Sequence, residues 1–430
     1  MRWLLRAWLL VLLAGLLALG WLLFGDSSQN SDSQPAVSVE MPKLTDPALV
    51  AKGAYLAKVG DCAGCHTARG GALYAGGRAI PTPFGSVPVP NITPDRETGL
   101  GQWEFADFWR AMHSGVGRHG QRLYPAFPYT SYTRVTRDDA WAIFAYLRSV
   151  PAIEQRPRAS GLDFPYRIRT TLAVWRSLYF RQGVFQPDAR QSAQWNRGAY
   201  LVQGLGHCNE CHAERGALGG TAASVHLTGG QIPEQKWYAP DLSTQQNGGL
   251  HGWSEQDIVD LLQTGHSAKG TAFGPMADVV AQATQHMTAG DLRAIASYLA
   301  TLPPRAARPA PRSAFDVAKI ASAGEKIYLK HCADCHGRDG NGVAGVYPPL
   351  NGNSAMSEPT GINATRMVLL GGFPPATAGN PRPYSMPPFA QQLNDSDVAL
   401  VVSYIRQAWG NKASIVRPDQ VSTYRHTPID

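Results

Sequence analysis

Three copies of the motif Cys-x-x-Cys-His constrain the fold of this chain more than any other feature of its sequence. They lie at residues 62–66, 208–212 and 332–336. Random placement of the 6 cysteines and 12 histidines among 430 residues would give only about 0.002 copies of the motif. Because the three copies use all six cysteines, none is left for a disulfide scaffold. The length of the chain predicts about three domains, one for each motif.

The spacing within each motif fits the covalent attachment of one haem c, so three are expected. Two cysteines on one helical turn reach the two vinyl groups of a haem, and the adjacent histidine is placed to ligate its iron. The predicted thioether residues are Cys62, Cys65, Cys208, Cys211, Cys332 and Cys335. The predicted iron ligands are His66, His212 and His336. A redox dithiol or half a zinc site would explain an isolated Cys-x-x-Cys, but the histidine that follows each copy disfavours both.

The residue that would ligate each iron from the opposite, distal side is less regular. Met276 in the second repeat and Met386 in the third each precede the last helix, where a thioether would cover the distal face. Packing in an ordinary core is the alternative for each methionine. The matching loop of the first repeat has Phe127 instead. The sequence leaves the ligand there open between no residue and three nearby candidates, Met112, His113 and His119.

Each motif lies in a repeat that begins and ends with a predicted helix. The first helix of each repeat contains a glycine and the last contains a tyrosine: Gly53 and Tyr146, Gly198 and Tyr298, Gly324 and Tyr404. A small residue facing a ring predicts that these two helices cross closely. An aspartate in the first turn of each closing helix suits the helix dipole. The predicted fold class is therefore all-α, with cytochrome c domains in tandem at residues 48–152, 193–302 and 321–412.

The remaining segments are predicted to be an N-terminal targeting segment, linkers and a tail. Residues 1–24 combine a basic start with an apolar run and fit either a membrane anchor or a cleaved signal peptide. Both interpretations place the later residues in the periplasm, because Arg2 and Arg6 hold the terminus inside. Residues 25–47 are expected to form a flexible tether, and the Pro-rich residues 303–320 a semi-rigid spacer. Residues 413–430 form a C-terminal tail.

The linker at residues 153–192 is rich in arginine and aromatic residues. Between Arg156 and Arg197 the chain has eight arginines, no lysine and two aspartates, so most of the formal charge of +7 lies here. Three interpretations are open: a surface for anionic lipid headgroups, a docking surface for a partner subunit, or a helix packed against its own first domain. Export of the chain argues against nucleic acid as the partner.

Several longer stretches have the sequence of a known family. They are residues 60–67 around the first motif, 90–95, 98–101, 195–202, 274–277 and 379–384. With these stretches the chain resembles the triheme cytochrome c subunits of bacterial membrane-bound dehydrogenases. The resemblance implies that the chain accepts electrons from a catalytic dehydrogenase subunit and passes them to ubiquinone on the periplasmic side of the inner membrane. Phe127 departs from the Met common in the alcohol and gluconate branch, and is more similar to chains that accompany molybdenum aldehyde dehydrogenases.

The sequence contains no catalytic acid–base pair, phosphate-binding loop or substrate pocket that we identify, so the oxidation chemistry is assigned to the partner. Two other functions are kept as alternatives. One is a free-standing electron carrier that serves a terminal oxidase. The other is a peroxidase-like haem enzyme that uses an open first haem.

Overall fold

The structure, a computed structural model, describes residues 42–222, 226–243, 249–304 and 317–427, together with Gly20. The chain divides into two compact units. The first comprises residues 1–56, 65–185 and 216–220, and the second comprises residues 57–64, 186–215 and 221–430. The predicted anchor or signal at residues 1–24 lies outside the described residues, apart from Gly20, as does most of the tether.

The helices and strands are named here in chain order. Up to residue 185 they are α1 (Pro47–Val59), α2 (Cys62–His66), β1 (Ala79–Thr82), β2 (Gly85–Pro88), α3 (Phe105–Ser114), α4 (Tyr129–Tyr132), α5 (Arg137–Ser149), β3 (Gly161–Leu162) and α6 (Leu172–Tyr179). From residue 186 to residue 304 they are α7 (Ala193–Tyr200), β4 (Gly230–Ile232), β5 (Trp237–Ala239), α8 (Glu255–Thr264), β6 (His266–Ser267), β7 (Gly270–Thr271), α9 (Pro275–Gln282) and α10 (Ala289–Leu299). Beyond residue 316 they are α11 (Val317–His331), α12 (Ala333–His336), α13 (Ile362–Leu370), α14 (Asp395–Gln407) and α15 (Pro418–Arg425).

The last helix of each repeat begins with the same capping arrangement. The side-chain oxygen of the residue before the helix accepts a hydrogen bond from the backbone N–H of an aspartate in its first turn. The pairs are Thr136 with Asp139 (3.2 Å), Thr288 with Asp291 (3.1 Å) and Asn394 with Asp397 (3.0 Å). Each cap satisfies a backbone donor that the helix itself leaves without a partner. The prediction that an acidic first turn starts each of these helices is confirmed.

The first and last helices of each repeat cross at the predicted glycine and tyrosine. A Cβ atom at Gly53 would overlap the carbonyl of Ala142 and lie beside Tyr146. The same holds for Gly198 against Ala294 and Tyr298, and for Gly324 against Leu400 and Tyr404. Only a residue without a side chain allows backbones to approach so closely. The predicted close crossing is therefore confirmed in all three repeats.

The prediction of an all-α fold is wrong. The described residues contain antiparallel sheets of three and two strands, formed by β1–β2–β3, β4–β5 and β6–β7. These strands are two to four residues long, too short to show the alternation by which a sequence reveals a strand. No helix in the described ranges has the length and apolar character that crossing a membrane requires.

Candidate haem-binding sites

Each Cys-x-x-Cys-His motif is a short helical turn that follows the first helix of its repeat, in the second repeat after a π-helical turn at Leu201–Leu205. In the first two repeats the residue before the motif, Asp61 or His207, has a positive φ, of 48° or 39°. Asp and His are among the residue types that tolerate this left-handed conformation best, apart from glycine. In the third repeat the helix runs on to His331, the residue before Cys332. The first helix thus presents each motif, with a sharp bend in two cases.

Each of the three predicted iron ligands makes the same type of hydrogen bond, from its Nδ1 to the carbonyl of a proline. Nδ1 of His66 donates to the carbonyl of Pro90 (2.8 Å), and Nδ1 of His212 donates to that of Pro240 (2.7 Å). The third, Nδ1 of His336, lies 3.1 Å from the carbonyl of Pro348. A histidine whose Nδ1 carries the proton has the lone pair on Nε2 that a metal needs, and this partner also fixes the orientation of the ring.

The electrostatic environment keeps these histidines neutral. Burial lowers the pKa of His66 to about 4, although the hydrogen bond to Pro90 opposes the shift. Burial also lowers the pKa of His212 and the pKa of His336, with the same opposition from Pro240 and Pro348. A metal ligand must be the neutral imidazole, so the shift favours the ligating form at neutral pH.

The thiols of the motifs have the opposite character from those of a redox dithiol. Burial, followed by the neighbouring Cys211, raises the pKa of Cys208 to about 12. Burial and the neighbouring Cys335 raise the pKa of Cys332 to about 11. Catalytic dithiols work through a thiolate and have a lowered pKa. None of the six cysteines is paired in a disulfide. At Cys208 and Cys332 the raised pKa disfavours the thiolate on which thiol–disulfide exchange depends.

The described residues fit a haem better than a bare metal ion. Among them there is no group of three or more His, Cys, Asp or Glu side chains that could hold a metal. A zinc site needs four such ligands, whereas a haem brings four nitrogens of its own and requires one or two axial side chains. One oriented histidine beside two cysteines is therefore sufficient for haem c.

The distal candidate of the third repeat lies in a loop, and that of the second repeat lies at the start of a helix. Met386 is half-buried and pairs with Gly372 through two backbone hydrogen bonds of 2.9 and 3.0 Å. Met276 is half-buried and lies in the first turn of α9, behind Gly274, whose φ is 52°. A Cβ at Gly274 would meet the ring of Trp237 at 2.9 Å, so the loop needs glycine there.

The candidates in the first repeat are held in three different ways. Met112 and His113 are buried in α3, with 5 and 6% of their surfaces exposed. The His113 ring stacks on Trp109 at 4.5 Å, and its Nδ1 donates to the carbonyl of Thr133 (3.0 Å). His119 is exposed in the turn after α3. Phe127 is half-buried, with its ring 5.3 Å from that of Tyr132.

Comparison with known proteins places this geometry in a family. The profile of the cytochrome c family matches residues 50–151, 196–303 and 321–409, one stretch around each motif. The chain belongs to the cytochrome c family. Members of this family bind haem c covalently, which agrees with the thiols and oriented histidines described above.

This cytochrome is similar over most of its length to subunits of dehydrogenases. It is 38% identical over 398 residues to the gluconate 2-dehydrogenase cytochrome c subunit of Pantoea cypripedii, covering 87% of this chain and 89% of that protein. It is 37% identical over 383 residues to the cytochrome c subunit of the alcohol dehydrogenase (quinone) of Gluconobacter oxydans, covering 86 and 80%. It is 33% identical over 410 residues to the fructose dehydrogenase cytochrome subunit of Gluconobacter japonicus, covering 87 and 82%.

Sequence reasoning missed the proline carbonyls that orient the histidines of this cytochrome. A signal was present, because Pro90-Asn91-Ile92-Thr93 in the first repeat has a counterpart in Pro240-Asp241-Leu242-Ser243 in the second. In the structure the two stretches make the same turn. The side chain of Asn91 accepts from the Thr93 N–H (2.9 Å), and that of Asp241 from the Ser243 N–H (2.7 Å). Pro348 in the third repeat is followed by a different sequence and was not recognisable by this pattern.

Proposed function

We propose that this cytochrome carries three haems and relays electrons from the catalytic subunit of a membrane-bound dehydrogenase to ubiquinone, on the periplasmic side of the inner membrane. The observation that carries the proposal is the repetition, within one chain, of a Cys-x-x-Cys-His turn whose histidine is oriented by a proline carbonyl. In this proposal the six cysteines form the thioethers, the three histidines are the proximal ligands, and Met276 and Met386 are distal ligands.

Contacts within the second unit support a relay, because electron transfer requires successive haems to be close. Residues 57–64, which lead into the first motif, belong to this unit. Nε2 of His207, beside the second motif, donates to the carbonyl of Gly60, beside the first, at 3.4 Å. The second and third repeats are joined by the Arg366 guanidinium, 4.7 Å from the ring of Trp237. Phe273, in the loop of Met276, packs against the core of the third repeat.

The chain and the bound groups have separate roles in this proposal. Haem supplies one-electron redox chemistry, and its potential depends on the axial ligands. The chain fixes the histidine tautomers through the proline carbonyls and keeps these imidazoles neutral by burial. A thioether ligand favours the ferrous state, so Met276 and Met386 are expected to raise the potentials of the second and third haems relative to the first.

The names of the relatives support the two ends of the relay. Two of the similar subunits belong to dehydrogenases that act on gluconate and on alcohols, and one of these enzymes is named for a quinone. The test mixes the purified holocytochrome with the catalytic subunit of each of these dehydrogenases and its substrate, and follows the haem absorption. We expect reduction only when a catalytic subunit is present, and reoxidation by a soluble ubiquinone analogue. Reduction without reoxidation by the quinone, but with reoxidation by a terminal oxidase, would identify a free-standing carrier.

A second candidate function rests on Phe127. Its position in the distal loop of the first repeat leaves that haem without the methionine present in the other two loops. A haem with an open distal position binds small ligands and supports peroxidase-like chemistry. Carbon monoxide added to the ferrous protein would shift the spectrum of one haem in three if that position is open, and hydrogen peroxide would then be consumed at the expense of a reduced donor.

A further inference from the structure

The arginine-rich linker is fixed to the first unit. Strand β3 pairs with β2, with Gly85 opposite Leu162, and the Asp163 N–H donates to the carbonyl of Phe84 (3.0 Å). The following helix, α6, buries Leu172 and Ala173, and Phe180 directly after it is also buried. The interpretation of this segment as a helix packed against its own domain is thus correct for one face. The side chains that stay exposed are therefore held in place by an ordered backbone.

Large apolar side chains of this segment remain in contact with solvent. The exposed fraction is 71% for Phe164, 40% for Tyr166, 41% for Ile168, 56% for Leu178 and 44% for Leu218. We call these five residues, with the exposed arginines among them, the linker surface. A soluble protein seldom leaves several large apolar side chains exposed together unless they contact something else.

Contacts within the first unit make the linker surface continuous. The Tyr166 ring lies 4.5 Å from that of Phe84, and a Cβ at Gly219 would lie 3.0 Å from the same Phe84 ring. The next residue back, Leu218, accepts a hydrogen bond at its carbonyl from the indole Nε1 of Trp175 in α6 (2.9 Å). The segment around Tyr166, the loop at residues 216–220 and α6 are therefore neighbours in the first unit.

The charge of the linker surface has one sign. Residues 156–187 contain six arginines, no lysine and a single acid, Asp163. Five of the arginines are exposed, at positions 156, 158, 167, 169 and 181. The sixth, Arg176, is buried in α6 and donates to the carbonyl of Ser114 (2.7 Å). Guanidinium groups bind phosphate in a bidentate manner and are more weakly hydrated than ammonium groups, so this composition suits a layer of phosphate groups.

We propose that the linker surface lies on the anionic headgroups of a phospholipid membrane, with Phe164 and Leu178 inserted below the phosphate level. The inference rests on the proposed location of the cytochrome at the inner membrane and names the surface that faces it. An anionic bilayer accepts apolar rings at its interface while its phosphates pair with arginines between them. Arginine and aromatic residues are also enriched at protein interfaces, so a partner subunit is the alternative occupant that the test must separate from lipid.

The test is residue-level hydroxyl-radical footprinting of the full-length holocytochrome on vesicles. The vesicles are made of phosphatidylcholine alone or with about 30% phosphatidylglycerol, and contain neither dehydrogenase nor quinone. Phe373 is the matched control for Phe164, since both are 71% exposed, and Leu73 (54%) is the control for Leu178 (56%). We expect oxidation of Phe164 and Leu178 to slow about threefold on the anionic vesicles only, with the controls unchanged.

Variants separate the electrostatic part of the contact from the apolar part. The double variant Arg158→Gln/Arg167→Gln should lose most of the protection of Leu178, as should about 0.5 M salt, because screening weakens surface electrostatics. The control Arg382→Gln removes an exposed arginine outside the linker and should keep the protection. Since each side chain is read separately, another segment that touches the vesicle does not alter the result.

Three outcomes would overturn the proposal. They are equal protection of Phe164 and Phe373, no protection on anionic vesicles, and protection that appears only when the dehydrogenase catalytic subunit is added without lipid. The last would identify the linker surface as a protein interface. The footprint and the electron-transfer assay share no reagent besides the cytochrome, so failure of one does not imply failure of the other.

Discussion

The first and second repeats match on the proximal side of the proposed haem position and differ on the distal side. On the proximal side, His66 and His212 donate to proline carbonyls at 2.8 and 2.7 Å, and each proline is followed by the same side-chain-capped turn. At the position proposed to be distal, the second repeat has Met276 and the first has Phe127.

The difference between the two sides reflects how many residues each depends on. The proximal side combines a covalent motif, a buried turn and a hydrogen bond, so changing any one of them disturbs the others. The distal side depends on a single side chain in a loop, which can change without altering the fold. In the proposed relay the repeats share their mode of haem attachment, while the distal residue of each repeat sets the chemistry of its haem.

The largest effect is expected from removing one cysteine of a motif. Cys62→Ala and Cys208→Ala should each remove one haem, because a single thioether rarely supports maturation, and pyridine haemochrome analysis should fall from three haems per chain to two. The two variants should lose the same amount of haem if the proximal sides of the two repeats are equivalent. A count of two in the unaltered protein would show that one motif carries no haem and would end the comparison.

The second prediction concerns the distal residues. Met276→Ala and Met386→Ala should each remove about half of the thioether-to-iron absorption at the red end of the oxidised spectrum. Phe127→Met should add to this absorption and raise the potential of the first haem. Met112→Leu should leave it unchanged, as should Met287→Leu, a control at another buried methionine. If Met112→Leu abolished a third of the band, Met112 would be the ligand and the two repeats would be alike on both sides.

The third prediction tests the helix crossing that the repeats share. Gly53→Ala and Gly198→Ala each place a methyl group on a carbonyl of the last helix, so each should lower the free energy of unfolding by about 3 kcal/mol. Urea denaturation followed by circular dichroism measures the loss. Gly290→Ala is the control, because an added Cβ there meets only Thr288 Oγ1 at 3.8 Å and should change stability by less than about 1 kcal/mol. Unequal losses at Gly53 and Gly198 would show that the crossings differ.

The smallest effects are expected in the turn after each proline. Asn91 is 3% exposed and also donates to Ile153 O (2.6 Å), so Asn91→Ala should cost about 2 kcal/mol of unfolding free energy. Asp241→Ala, at the half-buried counterpart, should cost about 1 kcal/mol. The exposed Asn341→Ala is the control and should cost less than about 0.5 kcal/mol. A larger cost at Asp241 than at Asn91 would reverse this ranking.

Features that depend on a few residues with characteristic spacing could be predicted from the sequence. The motifs, the aspartates that start the closing helices, and the Gly–Tyr crossings each depend on a few residues whose geometry is known in advance. The strands around Gly85 and Gly230 could not be predicted, since strands of two to four residues carry no measurable period. The proline acceptors lie 24, 28 and 12 residues from their histidines, and nothing local in the sequence fixes such a distance.

For the linker, the sequence shows which residues are present but not which of their side chains are buried and which are exposed. Its arginines and aromatic residues were evident, yet lipid, partner and self-packing remained equally compatible with them. The structure separates the residues by position: Leu172 and Phe180 are buried in the first unit, whereas Phe164 and Leu178 stay exposed. Which side chains of a mixed segment face inward depends on the surface it meets, and that surface comes from residues far away in the chain.

The crossing of first and last helices also has a consequence for the order of biosynthesis. The helix that holds Gly53 cannot complete its packing until the ribosome has made Ala142 and Tyr146, and the same delay applies to Gly198 and Gly324. Each Cys-x-x-Cys-His turn follows this first helix in the sequence. The first helix of a repeat therefore completes its packing only after the whole repeat, including its Cys-x-x-Cys-His turn, has been made.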